Sequence, residues 1–367
     1  MKIVSFSYLS FLLFVFVLSC SREKPTPPPE TESASLNEML LKAPISWINL
    51  KDAEVDSLLI PDNKIFTERF SEDPSLGISN PAMVKVFGDH LIVLEYSSPD
   101  VFVLDKDGTP VQKINGEFVR PTSIMSDGSS LYIYDDDLKK IYIYNTEFEF
   151  QTSLPMRNPY YTQGSVLMNQ NHIAYQHEEA SGFRVSDTDR KLLSVASKEQ
   201  PDSTLFEAIP RIVPSGKQPG GFNNLLFSMN NNNEIVAAYP ALPYLFVYRD
   251  FELQQNIVIE ADQFETIENP SLTPFDPVFG EAVRVSSLIN QIYLMDSGDI
   301  LLFSFELLHH LKNNLEKGYD HHRSYALFRG DTGEQIQSIS NIDAFPEEPT
   351  RFYATDMNVL FELNLPE

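Results

Sequence analysis

The chain has 367 residues, with 52 acidic against 27 basic side chains and a formal net charge of −25 at pH 7. That charge repels phosphate backbones, which argues against nucleic acid as a partner, and solvation in a salty medium is the plain reading of the acidity. With 42% hydrophobic residues and a single cysteine, the chain has material for a sizeable core and no means of forming an intrachain disulfide.

Met1 and Lys2 precede an apolar run, Ile3 to Leu18, that contains no acidic residue. A short positive region followed by a short apolar one is the pattern of a secretory signal, and the run is at the low end of what crosses a bilayer. Val17-Leu18-Ser19-Cys20 closes the run and looks like a lipobox, in which Cys20 is lipidated on sulfur and becomes the new N-terminus. Leu18 departs from the small residue usual at its position. Ser21 to Ser33 is proline-rich and polar, so it cannot bury apolar surface and reads as a tether. Ser21 after the cysteine resembles lipoproteins sent on to the outer membrane. The expected organisation is a signal peptide over 1–19, a lipidated cysteine and tether over 20–44, and a folded body over 45–367.

Internal repetition organises the body. Pro81 to Val86, Gly88-Asp89, Leu91 to Glu95 and Val101 to Asp105 recur as Pro121 to Ser126, Asp127-Gly128, Leu131 to Asp135 and Ile141 to Asn145. Pro81 maps to Pro121, Leu91 to Leu131, Glu95 to Asp135, Val101 to Ile141 and Asp105 to Asn145. Short β-branched and aromatic runs separated by Gly, Asp, Asn and Pro predict strands and tight turns, four strands to a unit, as in a propeller blade. Gly128 is suited to the first turn because glycine takes positive φ without steric cost.

Weaker copies follow. A third unit spans Ser165 to about Val195, with Ile173-Ala174-Tyr175 and Phe183-Arg184-Val185 as its inner pair. A fourth contains Asn223 to Met229, Ile235 to Tyr239 and Tyr244 to Tyr248, and a fifth runs from Val285 to Ile339 with an insertion between Phe305 and Tyr325. Arg351 to Ala354 and Val359 to Leu363 supply two further strands. Ile45 to Asn49 and Ile65 to Phe70 are the expected donors that complete this last unit and close the ring. The count is six blades, an all-β fold.

From about Asp56 onward the chain resembles the TolB-like six-bladed β-propeller lipoproteins of Bacteroidota and related bacteria. The resemblance lies in Asp100-Val101-Phe102-Val103-Leu104-Asp105-Lys106-Asp107-Gly108 and the link Gly116-Glu117-Phe118-Val119-Arg120-Pro121. It implies the architecture and carries no reaction.

In a propeller the loops from second to third strand, and from blade to blade, gather on one face around the axis. That face is expected to display Glu95, Tyr96, Asp100, Arg120, Asp135, Asp136, Asp137 and Arg284, with Tyr96 and Tyr239 as aromatic candidates for stacking on a sugar or peptide. Converging carboxylates are a candidate calcium set, since calcium prefers six to eight oxygen ligands, while acidic residues in turns also serve their own backbone. Asp105-Lys106-Asp107-Gly108 lacks the later ligands of a calcium loop and reads as a hairpin turn. Gly330-Asp331-Thr332-Gly333 occurs once, whereas aspartic-protease chemistry needs two such aspartates. His309-His310 and His321-His322 lie in the insertion, where Leu307 to Lys317 has the spacing of a short helix. Paired histidines bind zinc or titrate near pH 6.5, but no cysteine or carboxylate completes a site there.

No nucleophile elbow, zincin string or phosphate-binding loop occurs. The sequence therefore leads to a membrane-anchored envelope propeller that binds or scaffolds a protein, peptide or glycan. The alternative is a lactonase-like hydrolase or lyase using a divalent ion at axial carboxylates, which requires Glu95 and Asp135 to face a common centre.

Overall fold

The computed structural model describes residues 34–49, 78, 81–95, 98–106, 108–156, 166–177, 191–211, 225–240, 242–260, 287–294, 300–307, 322–329, 335–340, 343–348, 351–356 and 359–364. Helix α1 (Ala34–Lys42) and strand β1 (Ile45–Asn49) precede the repeats. Blade 1 is β2 (Pro81–Phe87), β3 (His90–Glu95), β4 (Val101–Asp105) and β5 (Pro110–Lys113), and blade 2 is β6 (Pro121–Ser126), β7 (Leu131–Asp135), β8 (Lys140–Tyr144) and β9 (Phe150–Pro155). Blade 3 follows as β10 (Val166–Met168), β11 (His172–Gln176), β12 (Leu193–Ser197) and β13 (Gln200–Ala208). Blade 4 contains β14 (Leu226–Met229), β15 (Glu234–Ala238), β16 (Tyr244–Arg249) and β17 (Glu252–Glu260). Blade 5 is β18 (Ser287–Leu294), β19 (Ile300–Leu307), β20 (His322–Arg329) and β21 (Gln335–Ser340), and the last sheet is β22 (Asp343–Glu348), β23 (Arg351–Asp356) and β24 (Val359–Asn364).

Six antiparallel meanders thus follow one another, and β22 of the last lies beside β2 of the first. The repeat seen in the sequence is a repeat in register. Pro81 faces Glu95 and Pro121 faces Asp135, each with an irregularity immediately after the proline. Gly88 and Gly128 adopt φ of +62° and +83° in the turns joining first and second strands, where any side chain would be strained. In the later blades Asn takes over this punctuation. The Oδ1 atoms of Asp127, Asn169 and Asn230 each accept backbone N–H bonds from the turn that follows, which is why short polar residues stand at those points. Asp105 likewise accepts Thr109 N–H at 2.6 Å, so this segment is the hairpin turn expected.

A blade is covered on both faces by its neighbours, so its middle strands read as continuous apolar runs rather than alternating ones. Every residue of β7 is buried, Asp135 included. Between blades 1 and 2 the core joins Ile92, Leu94, Val101 and Val103 to Ile124, Leu131, Tyr142 and Tyr144. At the rim of this seam Phe118 packs edge-on to Tyr142 with ring centres 5.1 Å apart, and Phe150 contacts both tyrosines. Gly116 lets the Phe118 ring lie close over the backbone there, since a Cβ would stand 2.5 Å from the ring and oblige it to shift.

Three expectations are corrected. First, Ile45–Asn49 does not complete the last blade: β1 pairs in parallel with β17, Ile45 opposite Asn256 through Asn49 opposite Glu260, and forms a fifth strand on blade 4. Ile65 to Phe70 lies outside the described residues, and the last sheet has three strands of its own because Asp343–Glu348 joins it. Second, the part of the tether from Ala34 onward is α1, whose Leu36, Met39 and Leu40 are buried against Leu192, Ile209, Tyr239 and Tyr244 at the seam of blades 3 and 4. The spacing of these three residues places them on one side of a helix, a signal outweighed in the sequence by the proline-rich stretch before it. Third, β11 pairs with β12 at Leu193–Ser197, whereas Phe183 to Val185 lies outside the described residues.

Burial also governs the tyrosines of the core. It pushes the Tyr244 phenol up to about 12 and raises Tyr132, Tyr144, Tyr239 and Tyr248 as well, with the Asp127 carboxylate adding to the shift of Tyr132. These groups keep their protons in the folded chain at pH values where the unfolded chain loses them. Their contribution to stability is therefore complete below the ordinary phenol value of about 10 and declines as pH rises from there toward the folded-state values. Alkaline titration is expected to show phenolate absorbance from these residues appearing together with loss of the β-sheet signal. Smooth titration of all tyrosines near pH 10 with the sheet intact would contradict this.

Candidate loop-face site

The turn between β7 and β8 is the best-defined part of the predicted ligand face. One oxygen of Asp135 accepts the backbone N–H groups of Val119 at 2.7 Å and Arg120 at 2.9 Å, and the other accepts Leu138 N–H at 2.9 Å. Asp135 therefore fastens the link from blade 1 to the turn of blade 2. Asp136, also buried, meets the Arg120 guanidinium at 2.6 Å, the Lys139 ammonium at 3.0 Å and the Tyr134 hydroxyl at 3.2 Å. The same Arg120 nitrogen stands 2.5 Å from Asp137. On the backbone, Asp136 N–H donates to Arg120 C=O and Met156 N–H to Lys139 C=O, so the turn is tied to the links on both sides.

What the sequence presents as a run of three aspartates is thus a set of engaged carboxylates, met by two cations and three backbone N–H groups. Lys139 was not among the expected site residues, though Asp136 and Lys139 are three apart and two lysines follow the acidic run after Leu138. Asp100 pairs with Lys113, whose ammonium also lies 5.7 Å from the centre of the Phe102 ring. Glu95 is buried and occupies on β3 the place that Asp135 occupies on β7, opposite the proline of the first strand. Gln176 gives blade 3 a comparable tie, its Oε1 accepting Leu225 N–H at the entry to blade 4. Nothing local in the sequence marks Gln176, because its partner is 49 residues away.

Tyr239 is a correction. It was expected to face a ligand, yet it is fully buried in the core that α1 shares with blades 3 and 4, its ring meets Phe246 edge-on, and its hydroxyl donates to Pro210 C=O. Its position after β15 is that of a loop residue, yet the Pro210 carbonyl and the Phe246 ring hold it inward. Tyr96, Arg284 and Cys20 lie outside the described residues, as do His309, His310, His321 and Gly330 to Gly333. The insertion is shorter than expected, because β19 extends through Leu307 and pairs it with His322. The rest of the helix expected from Leu307 to Lys317 lies outside the described residues.

Among the described residues no three His, Cys, Asp or Glu side chains come together as a metal site. The donor set of the β7–β8 turn does not suit calcium either, since both Asp135 oxygens already accept backbone N–H groups and two cations face Asp136. The arrangement holds charge in fixed positions on a rigid rim.

Six sequential meanders around an axis, with ties between second-strand ends and inter-blade links, define a β-propeller. The chain belongs to the DUF5128 family, described as 6-bladed beta-propeller, whose model matches residues 73–307. Among solved structures it is similar to a Bacteroides fragilis protein described as exported, with 11% identity and a TM-score of 0.54 over 84% of this chain and 88% of that one. It is also similar to a member of the DUF4221 family from Bacteroides vulgatus, with 11% identity and a TM-score of 0.53 over 78% of this chain and 92% of that one. At these identities the likeness concerns the fold. No curated protein is significantly similar in sequence.

Proposed function

We propose that the protein is an exported, TolB-like propeller, anchored to the outer membrane through a lipid on Cys20, whose loop face recognises a protein, peptide or glycan without catalysis. The observation that carries the recognition reading is the engagement of Asp100, Asp135, Asp136 and Asp137 by Lys113, backbone amides, Arg120 and Lys139. Carboxylates held in this way shape a surface and offer no open metal position, so no observation favours the hydrolase or lyase reading. The signal-like start and Cys20 support export and anchoring, as does the description of the Bacteroides fragilis neighbour as exported.

Labelled fatty acid fed to a Bacteroidota host expressing the full chain is expected to enter the protein and to be absent from Cys20→Ala. Labelling of both chains alike would remove the anchor. A photo-crosslinking residue at Val119, exposed on the loop face, is expected to yield a discrete adduct that the same residue at Glu147, in the β8–β9 turn on the opposite face, does not. Identical adducts from both faces would defeat the recognition reading. Calcium or a chelator is expected to leave the melting temperature unchanged. A saturable rise that disappears in Asp136→Asn would return the metal enzyme to first place.

A further inference from the structure

Blades 2 and 4 are built alike at their outer edges. In blade 2, Tyr142 pairs with Ser153 and Tyr144 with Phe150, with a register shift between Ile143 and Tyr144. In blade 4, Phe246 pairs with Asn256 and Tyr248 with Leu253, with the shift between Val247 and Tyr248. Phe148 and Phe251 take φ of +62° and +64° in the turns that follow. The aromatic side chains of β8 and β16 thus hold corresponding places, Tyr142 and Tyr144 in the core shared with blade 1, Phe246 and Tyr248 in the core shared with blade 3.

The two seams are covered differently. Phe246 and Tyr248 share their core with Leu36, Met39 and Leu40 of α1, and the Tyr248 hydroxyl meets Met39 Sδ at 3.8 Å. At the seam of blades 1 and 2 the blade link takes that place, with Phe118 against Tyr142 and the Asn115 C=O accepting the Tyr144 hydroxyl at 3.3 Å. This cover stops short of Phe150, whose ring lies 5.9 Å from that of Tyr144 and is 54% exposed, whereas its counterpart Leu253 packs partly buried against the core that holds α1. Glu117 and Glu149, each directly before one of the two outer rings, are exposed. Burial, and after it the carboxylates of Asp135 and Glu117, hold the Tyr142 phenol above its ordinary value, so the charge of Glu117 is felt at these rings. Lys140, the only cation of β8 and β9, stands at the other end of β8 from Phe150. We propose that the outer rim of this seam, centred on Phe150 and Phe118, docks a short amphipathic helix of a partner protein, with an apolar stripe like that of α1 and basic residues beside it. The seam of blades 3 and 4 supplies the model for the helix, and Glu117 and Glu149 supply the complement to its basic flank. The surface depends on neither the loop face nor the lipid anchor.

The probe is a fluorescein-labelled peptide with the sequence of Ala34–Asn49 carrying Glu38→Lys, which keeps the stripe of Leu36, Met39 and Leu40 and makes its flank basic. Titrated with the detergent-solubilised full chain, its fluorescence anisotropy is expected to rise and saturate. Phe150→Ser, which keeps the far-UV sheet signal because the ring is half in water, is expected to weaken binding about tenfold, as loss of an aromatic anchor does. Added salt is expected to weaken binding to the natural chain, and the double variant Glu117→Gln, Glu149→Gln to remove most of that dependence. Absence of saturable binding would overturn the proposal. So would equal binding to the natural chain and Phe150→Ser, which would place the peptide elsewhere, for instance at the seam of blades 3 and 4. Phe150-dependent binding of a neutral oligosaccharide, maltohexaose, without binding of the peptide would assign the surface to a glycan and overturn the helix.

Discussion

Replacing Asp135 by alanine is expected to destabilise the chain by about 3–5 kcal/mol, since it leaves three backbone N–H groups without their charged acceptor in a closed turn. The loss is large against the roughly 5–15 kcal/mol that holds a typical domain together. Its cause is geometric: a single carboxylate fixes both the last residues of the blade 1 to blade 2 link and the β7–β8 turn. Asp135→Asn keeps one oxygen acceptor and the size of the side chain, so it should cost less, about 1–2 kcal/mol. Urea midpoints of the natural chain and the two variants measure the difference. A midpoint for Asp135→Ala indistinguishable from the natural one would mean that Asp135 is not the fastening described.

Tyr239→Ala is expected to cost about 3–5 kcal/mol, because it empties a large, fully buried site at the seam of blades 3 and 4. Tyr239→Phe keeps the ring and removes only the bond to Pro210 C=O, an effect of about 1 kcal/mol. The pair of variants separates a packing role from a ligand-stacking one. If Tyr239 met a ligand, Tyr239→Ala would leave the melting temperature alone and change binding. The structure predicts the reverse order of effects, with the thermal melt as the readout.

Much of this fold is legible in the sequence because a blade is a local object. Four strands and their turns occupy about forty consecutive residues in the first two copies, and each sandwiched strand writes its burial as a run such as Leu91 to Leu94 or Leu131 to Tyr134. The turn residues Gly88, Gly128, Asp127 and Asn169 act on partners within a few positions, so their roles follow from residue type alone. The candidate site was legible only in its location. Asp135 and Asp136 are where the repeat places the loop face, yet their charge is committed to Val119, Arg120 and Lys139, a pairing that depends on how an inter-blade link folds back over a turn.

The blade type and the strand order within the first two blades are therefore determined by the amino-acid order itself, since they rest on short-range periodicity and turn chemistry. The fate of Ile45–Asn49, the helix at Ala34–Lys42 and the burial of Tyr239 were decided only in the tertiary structure. The first two depend on contacts spanning about two hundred residues, the β1–β17 pairing and the Asn256 cap on Met39 and Leu40, and the third on a bond to Pro210 from another blade link. Hydrophobic burial is non-directional, so a stripe such as Leu36, Met39 and Leu40 announces that it will be covered without saying by which seam.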